Sequence, residues 1–295
     1  MPAQTPNDSP ETGISPKDMA FVTKNATSTE PYQPGPDATH HEGVPTGILT
    51  GYHFTSEKFY PGVERDYWVY TPNQYDPAKP ACLMVFQDGK LYLGPDVNPL
   101  AVFDNLIHRG EMPVTIGVFV QPGDKGPGLP IWGGTDNRSI EYDSLGDTYA
   151  RFLLEELLPD VEKNVSITSD PAGRAICGIS SGGICAFTVA WERPDAFSKV
   201  VTHCGSFTDI RGGHNYPSLI RRNAAKPLRV FLQSGSNDLD VVFGNWPLAN
   251  QEMASALAYR GYDYQYIFGE GGHSLKHGGS IFPDTLRWLW RDYEK

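Results

Sequence analysis

Positive charge is scarce in this chain: 24 Lys and Arg stand against 35 Asp and Glu, a formal charge of −11 over 295 residues. Phosphate binding needs a concentrated basic surface, and the small basic cluster "LIRRN" does not supply one, so a nucleic-acid partner is excluded. Apolar runs such as "PACLMVFQ" are too short to span a bilayer, which excludes a helical membrane protein. Cysteine is sparse as well. Cys82, Cys177, Cys185 and Cys204 show no Cys-x-x-Cys spacing, so neither a zinc ribbon nor a redox pair is expected. They read as small buried thiols, with a Cys177–Cys204 disulfide left open because both sit at ends of predicted strands. No internal repeat is present. The first forty-odd residues lack a basic segment followed by an apolar one, so no signal peptide is expected in the chain as given. Export after removal of a signal and residence in the cytoplasm are both compatible with that. Oligomeric state leaves no signal in the sequence.

What that leading segment does contain is Pro, Ser, Thr, Asp and Asn, without an apolar period. Residues 1–46 are expected to form an extended or disordered arm, because they cannot bury enough surface to offset the entropy of ordering. His40 and His41 within it read as a solvated pair, not a metal site. From Gly47 onward the pattern is that of one folded domain, 47–295. "GILTGYHFTSEKF" and "ERDYWVYTP" alternate in part, as half-buried antiparallel strands do. "CLMVFQ" and "VTIGVFV" are continuous apolar runs, as strands covered on both faces are. Strand and helix then alternate to the C-terminus, which predicts a mostly parallel central sheet with helices on both faces. "QPGDKGPGLPIWGGTDNRSIEYD" and "EGGHSLKHGG" read as loops. "SLGDTYARFLLEELLPDVEKN" reads as a helix, with Leu145, Tyr149, Phe152, Leu153 and Leu157 on one face and Ser144–Asp147 as its cap.

The seven residues "CGISSGG" carry the chemistry. Glycine two before and two after a serine is satisfied by Ser180, through Gly178 and Gly182, and not by Ser181, since Ile179 precedes it by two. A strand ends and a helix begins here, the setting in which a Gly-x-Ser-x-Gly turn raises a hydroxyl above the sheet. Ser180 is therefore the candidate nucleophile, and Ser181 offers its backbone N–H to an oxyanion. A serine needs a base, and the base needs a partner that orients it. "FLQSGSNDLD" ends a predicted strand with Asp238 and Asp240, of which Asp238 is closer to the strand end. "GEGGHSLKHGG" places His273 just past another. His277 follows four residues later, but Ser274 stands where a metalloprotease would have glutamate, so no metal is expected and His277 falls to loop structure or the pocket rim. His203 and His214 lie near the same sheet edge.

A second oxyanion donor fits "VFQDGKLYL", where Gly89 lets the chain turn and the Lys90 N–H points inward, with Asp88 pinning the loop. Candidate substrate-binding residues are Gly89, Trp132, Arg138, Glu141, Trp246 and His277. The two tryptophans serve either core packing or stacking on an aromatic acyl group or a sugar ring. Arg138 and Glu141 form a buried pair, or Arg138 meets a carboxylate.

"FQDGK", "NRSIEYD", "YARFLLEELLPDV", "GISSGG", "SGSNDLD", "NWPLANQEMASAL" and "GGHSLKHGG", in this order over Gly47 to Tyr293, resemble the esterase D and enterochelin-esterase-like group of α/β-hydrolases. That group includes the feruloyl and acetylxylan esterases of the first carbohydrate esterase family. The resemblance implies an α/β-hydrolase fold with antiparallel N-terminal strands, no cofactor, a Ser180–Asp238–His273 triad and an oxyanion hole from Lys90 and Ser181. It also implies a serine esterase that works through an acyl-enzyme on a small-molecule or oligosaccharide ester, with feruloyl or acetyl groups on carbohydrate foremost. The alternatives are an acyltransferase with the same triad, an enterochelin-type siderophore esterase and a non-catalytic carbohydrate-binding relative. Many members carry His-Gly where this chain has Asp88-Gly89.

Overall fold

The alternating and the continuous apolar segments become two kinds of strand. In the computed structural model, which describes residues 20, 31–125 and 137–293, β1 (Ile48–Thr55) and β2 (Glu64–Thr71) pair antiparallel. β1 is a largely exposed edge, while β2 buries most of one face. β3 (Cys82–Gln87), β4 (Thr115–Val120), β5 (Arg174–Ile179) and β6 (Lys199–His203) are buried at every position. β7 (Arg229–Gly235), a two-stranded ribbon of β8 (Asp240–Val241) and β9 (Gly244–Asn245), and β10 (Asp263–Gly269) follow. The eight-stranded sheet runs β1-β2-β4-β3-β5-β6-β7-β10. It is parallel from β4 to β10 and antiparallel where β2 meets β1 and β4.

Successive side chains on a strand point to opposite faces, so each central strand feeds two cores. Leu83, Val85, Ile176, Val200, Val230 and Leu232 enter one, and Met84, Phe86, Cys177, Val201 and Phe231 enter the other. The first core is covered by α4 (Thr148–Phe152), which continues through a π-helical segment (Leu153–Leu157) into α5 (Leu158–Val161), and by α6 (Ser181–Glu192), α7 (Tyr216–Arg222) and α8 (Trp246–Arg260). The second is covered by α2 (Pro99–His108) and α10 (Phe282–Trp290). α6 is buried along almost its whole length, which is why "SGGICAFTVAWE" shows no polar face.

Several local expectations need correction. "NRSIEY" is a helix, α3 (Asn137–Tyr142), and "LKHGGS" is another, α9 (Leu275–Ser280). The glycines of the second are required by packing. A Cβ on Gly278 would lie 2.6 Å from the His203 ring, and one on Gly279 would lie 1.9 Å from the Asp96 carbonyl. Ser274 caps this helix by accepting from the Lys276 N–H. The helix after residue 144 begins only at Thr148, with no side-chain cap bond from Asp147, and Leu145 stays outside it, partly exposed. All four cysteines are buried free thiols, so no disulfide joins Cys177 to Cys204. No helix among the described residues is long and apolar enough to cross a membrane.

Residues 31–46 are mostly exposed or half-buried, with a single 3-10 turn at Pro36–Ala38 and Ala38 buried. One further short helix, α1 (Gly89–Tyr92), follows β3 and opens the site.

Candidate active site

Strand register brings the sequence candidates to one edge. Ile179 on β5 lies beside His203 on β6, His203 beside Gln233 on β7, and Gly235 beside Gly269 on β10. The loops bearing Ser180, Ser206, Asp238 and His273 therefore leave neighbouring strands at their carboxyl ends, where open α/β sheets hold their ligands.

Ser180 adopts φ 58° and ψ −124°, a conformation that costs a residue with a Cβ on the order of 1–3 kcal/mol. Its own backbone holds it there: Ser180 N–H donates to the His203 carbonyl, and its carbonyl accepts from Gly183, Ile184 and Ser206. The flanking glycines are explained by contact. A Cβ on Gly178 would sit 2.0 Å from the Gly182 carbonyl oxygen, so strand and helix could not approach as they do.

His273 Nε2 is 2.9 Å from Ser180 Oγ, and His273 Nδ1 is 2.6 Å from Asp238 Oδ1. The same Asp238 oxygen accepts the Leu239 N–H at 2.7 Å. Asp238 is buried, whereas Asp240 is exposed on the ribbon. A carboxylate can only accept, so the imidazole carries its proton on Nδ1 and Nε2 accepts from the serine hydroxyl. Ser206 Oγ lies 3.2 Å from Ser180 Oγ, and Trp246 Nε1 lies 3.2 Å from Ser206 Oγ. Indole N–H can only donate, so Ser206 accepts from Trp246; with the single Ser180 proton given to His273 Nε2, the proton between the two serines is that of Ser206. The result is one directed line of donors from Trp246 through Ser206, Ser180 and His273, with Asp238 bonded to the far nitrogen of the ring.

At the start of α6, where the Gly183 and Ile184 N–H groups already bond the Ser180 carbonyl, the Ser181 N–H lies at the positive end of the helix. The other expected donor is engaged. Lys90 N–H bonds Gln121 Oε1 at 2.9 Å, so a neutral carbonyl-type oxygen occupies that hydrogen. Gly89 serves packing: a Cβ there would be 2.4 Å from the Phe119 backbone. Asp88, at φ 56°, accepts the Leu91 N–H on its carbonyl at 2.8 Å, holding the turn through its backbone and not its side chain. Its carboxylate takes the Arg138 guanidinium at 2.8 and 2.7 Å.

Of its two alternatives, Arg138 therefore meets a carboxylate and does not pair with Glu141. Glu141 faces β2 and binds Arg65 at 2.7 and 2.9 Å, with both side chains fully buried. Gly123 N–H and the Asn137 amide complete the Glu141 carboxylate. Burial, the largest single influence, would lower the Arg65 pKa, but the Glu141 charge and hydrogen bonds, joined by Tyr149 and Tyr142, together outweigh it and the net shift is upward. Three residues apart on α3, Arg138 and Glu141 thus tie that helix to the loop after β3 and to β2 respectively.

Trp246 is fully buried and meets the His273 ring edge-on, with centroids 6.0 Å apart, so it supports the site from below and offers no stacking face. Trp132 lies outside the described residues. His277 is buried on α9, where its Nδ1 accepts from the Gln233 amide N–H at 3.1 Å. His203 is buried against the Tyr92 hydroxyl at 2.8 Å, and His214 is exposed beside Asp209. Cys204, Asp238 and His273 bring possible ligand atoms within 4.8 Å of one another, but two of these already form the tight imidazole–carboxylate bond. Ser206, Gln121 and Arg65 were missed by sequence reasoning. "HCGSF", immediately after a buried strand that neighbours the serine strand, was the available signal for Ser206.

Residues 60–289 match the family model described as "Putative esterase". An iron(III) enterobactin esterase of Dickeya dadantii is 26% identical over 254 residues, covering 77% of this chain and 52% of that protein. The chain thus spans about half the length of that relative. Among solved structures, a ferulic acid esterase of Anaeromyces mucronatus superposes with a TM-score of 0.70 at 18% identity, covering 89% of this chain and 98% of that one. The enterobactin esterase of Shigella flexneri superposes with a TM-score of 0.68 at 22% identity, over 88% of this chain and 63% of that one. The fold is that of the α/β-hydrolases, and the chain belongs to the esterase family.

Proposed function

We propose that this chain cleaves carboxylic esters through a covalent acyl-enzyme on Ser180. The observation that carries the reading is the unbroken line from Ser180 Oγ to His273 Nε2 and from His273 Nδ1 to Asp238 Oδ1. His273 takes the Ser180 proton as Oγ attacks the ester carbonyl, and the imidazolium returns that proton to the departing alcohol. Water repeats the cycle, giving its proton to His273 and releasing the acid. Asp238 holds the tautomer and stabilises the charged ring. The tetrahedral oxyanion takes the Ser181 N–H and the Lys90 N–H, the second after Gln121 has been displaced. No step calls on a cofactor.

As substrate we propose an acylated carbohydrate, a feruloyl or acetyl ester, acted on by a single catalytic domain from residue 47 onward. The near-complete mutual coverage with the ferulic acid esterase supports this. A cyclic siderophore ester is the second reading, supported by the enterobactin esterases among the sequence relatives. A hydrolysis panel of feruloylated sugars, acetylated sugars, a serine trilactone and simple nitrophenyl esters separates the two. Analysis of products with added glycerol or sugar tests the competing acyltransferase, which would give transesterified product in place of free acid.

A further inference from the structure

The leading segment has the composition of a disordered arm, yet its described part is fixed at two points. At Asp37–Thr39 it is clamped to α2 and α10: Arg109 and Arg287 both reach the Asp37 carboxylate, at 2.7 and 2.6 Å, and the Asn105 amide bonds the Asp37 and Thr39 carbonyls. Five residues before that clamp, Tyr32 reaches the loop that carries His273. Its ring stacks on His277 with centroids 4.0 Å apart and planes 11° apart. Its hydroxyl accepts the Glu270 N–H at 3.0 Å.

Glu270 is held from both sides. Its carbonyl accepts from the Asn237 amide at 2.6 Å, and Asn237 belongs to the loop bearing Asp238. Backbone bonds from Ser236 N–H to the Gly269 carbonyl and from Asn237 N–H to the Gly271 carbonyl complete that seam. One side of the histidine loop is therefore fastened to the acid loop, and the opposite side is fastened to Tyr32. Gly269 fits this arrangement, since a Cβ there would lie 2.4 Å from the Tyr32 hydroxyl.

We propose that Tyr32 is a positioning residue for His273 and that residues 31–39 are a strap which sets the histidine loop against Ser180. The proposal rests on the reading of His273 as general base. Reacting groups tolerate little displacement, and a shift of about 1 Å costs up to ~100-fold in rate. Loss of the ring stack and the Glu270 bond releases one side of the loop and lengthens the reach of Nε2 to the serine hydroxyl.

The test uses the full chain and a nitrophenyl ester. Tyr32→Ala is expected to lower kcat about tenfold with KM within about twofold, and to displace the acid limb of the kcat/KM profile. Tyr32→Phe keeps the stack, loses only the hydroxyl, and is expected to restore kcat to within about two- to threefold of the parent. Should Tyr32→Ala fail to fold, Tyr32→Leu fills the space without stack or hydroxyl and carries the same expectation. Unchanged kcat, or a fall in activity that follows the folded fraction while the acid limb stays in place, overturns the proposal. Turnover retained by His273→Ala would instead remove the base assignment. A silent Tyr32 series in an enzyme that His273→Ala inactivates overturns the strap alone.

Discussion

Ser206 Oγ lies 3.2 Å from Ser180 Oγ and receives the Trp246 indole N–H on its other side. A hydroxyl so placed donates to the serine oxygen in the resting state and holds its proton toward His273. Ser206→Ala is expected to lower kcat about 2- to 10-fold, the worth of one neutral hydrogen bond. Steady-state kinetics on a nitrophenyl ester checks it, and a kcat equal to the parent's contradicts the directed line.

Gln121 should show the opposite behaviour. Its amide oxygen occupies the Lys90 N–H that the proposed oxyanion needs. Gln121→Ala is expected to raise kcat/KM by up to about tenfold, because the substrate no longer competes with a resident acceptor. A fall in kcat/KM would assign Gln121 to holding the loop in shape and would move the second oxyanion donor away from Lys90.

The Arg65–Glu141 pair is buried on both sides and sealed by Gly123 and Asn137. Removing the cation alone leaves an uncompensated carboxylate in the core. Arg65→Met is expected to cost about 3–5 kcal/mol in denaturant unfolding, and the double variant Arg65→Met/Glu141→Leu to recover most of it. A single-variant loss below about 1 kcal/mol would place the pair with surface ion pairs.

Burial, and then the neighbouring His277, pull the pKa of His203 down from 6.5 to about 3. Between those values the unfolded chain binds a proton that the folded chain refuses. Stability is therefore lost as pH falls from 6.5 toward 3, with a slope from this group approaching ~1.4 kcal/mol per pH unit. His203→Gln removes that slope. Unfolding measured at two pH values, near neutrality and near 5, is expected to show roughly 2 kcal/mol less acid sensitivity in the variant. Equal losses in the two proteins contradict the assignment.

The sequence was readable where function is written locally. The glycine spacing around Ser180 follows from a strand and a helix pressed together, and strand ends marked the loops of Asp238 and His273. Partners distant in the chain were not readable. Arg138 and Glu141 have helical spacing that suggests each other, yet tertiary packing gives one to Asp88 and the other to Arg65. The segment with Gly278 and Gly279 reads as a loop because the His203 ring and the Asp96 carbonyl that demand those glycines lie elsewhere in the chain. Composition averaged the leading segment into a featureless arm, and an average conceals single anchors such as Tyr32, Asp37 and Ala38.

Intact-mass analysis after exposure to a fluorophosphonate, followed by peptide mapping, tests the central claim most directly. A single adduct on Ser180 is expected, lost in Ser180→Ala together with about a thousandfold or more of esterase turnover. An adduct on Ser181, or turnover that survives Ser180→Ala, would contradict it.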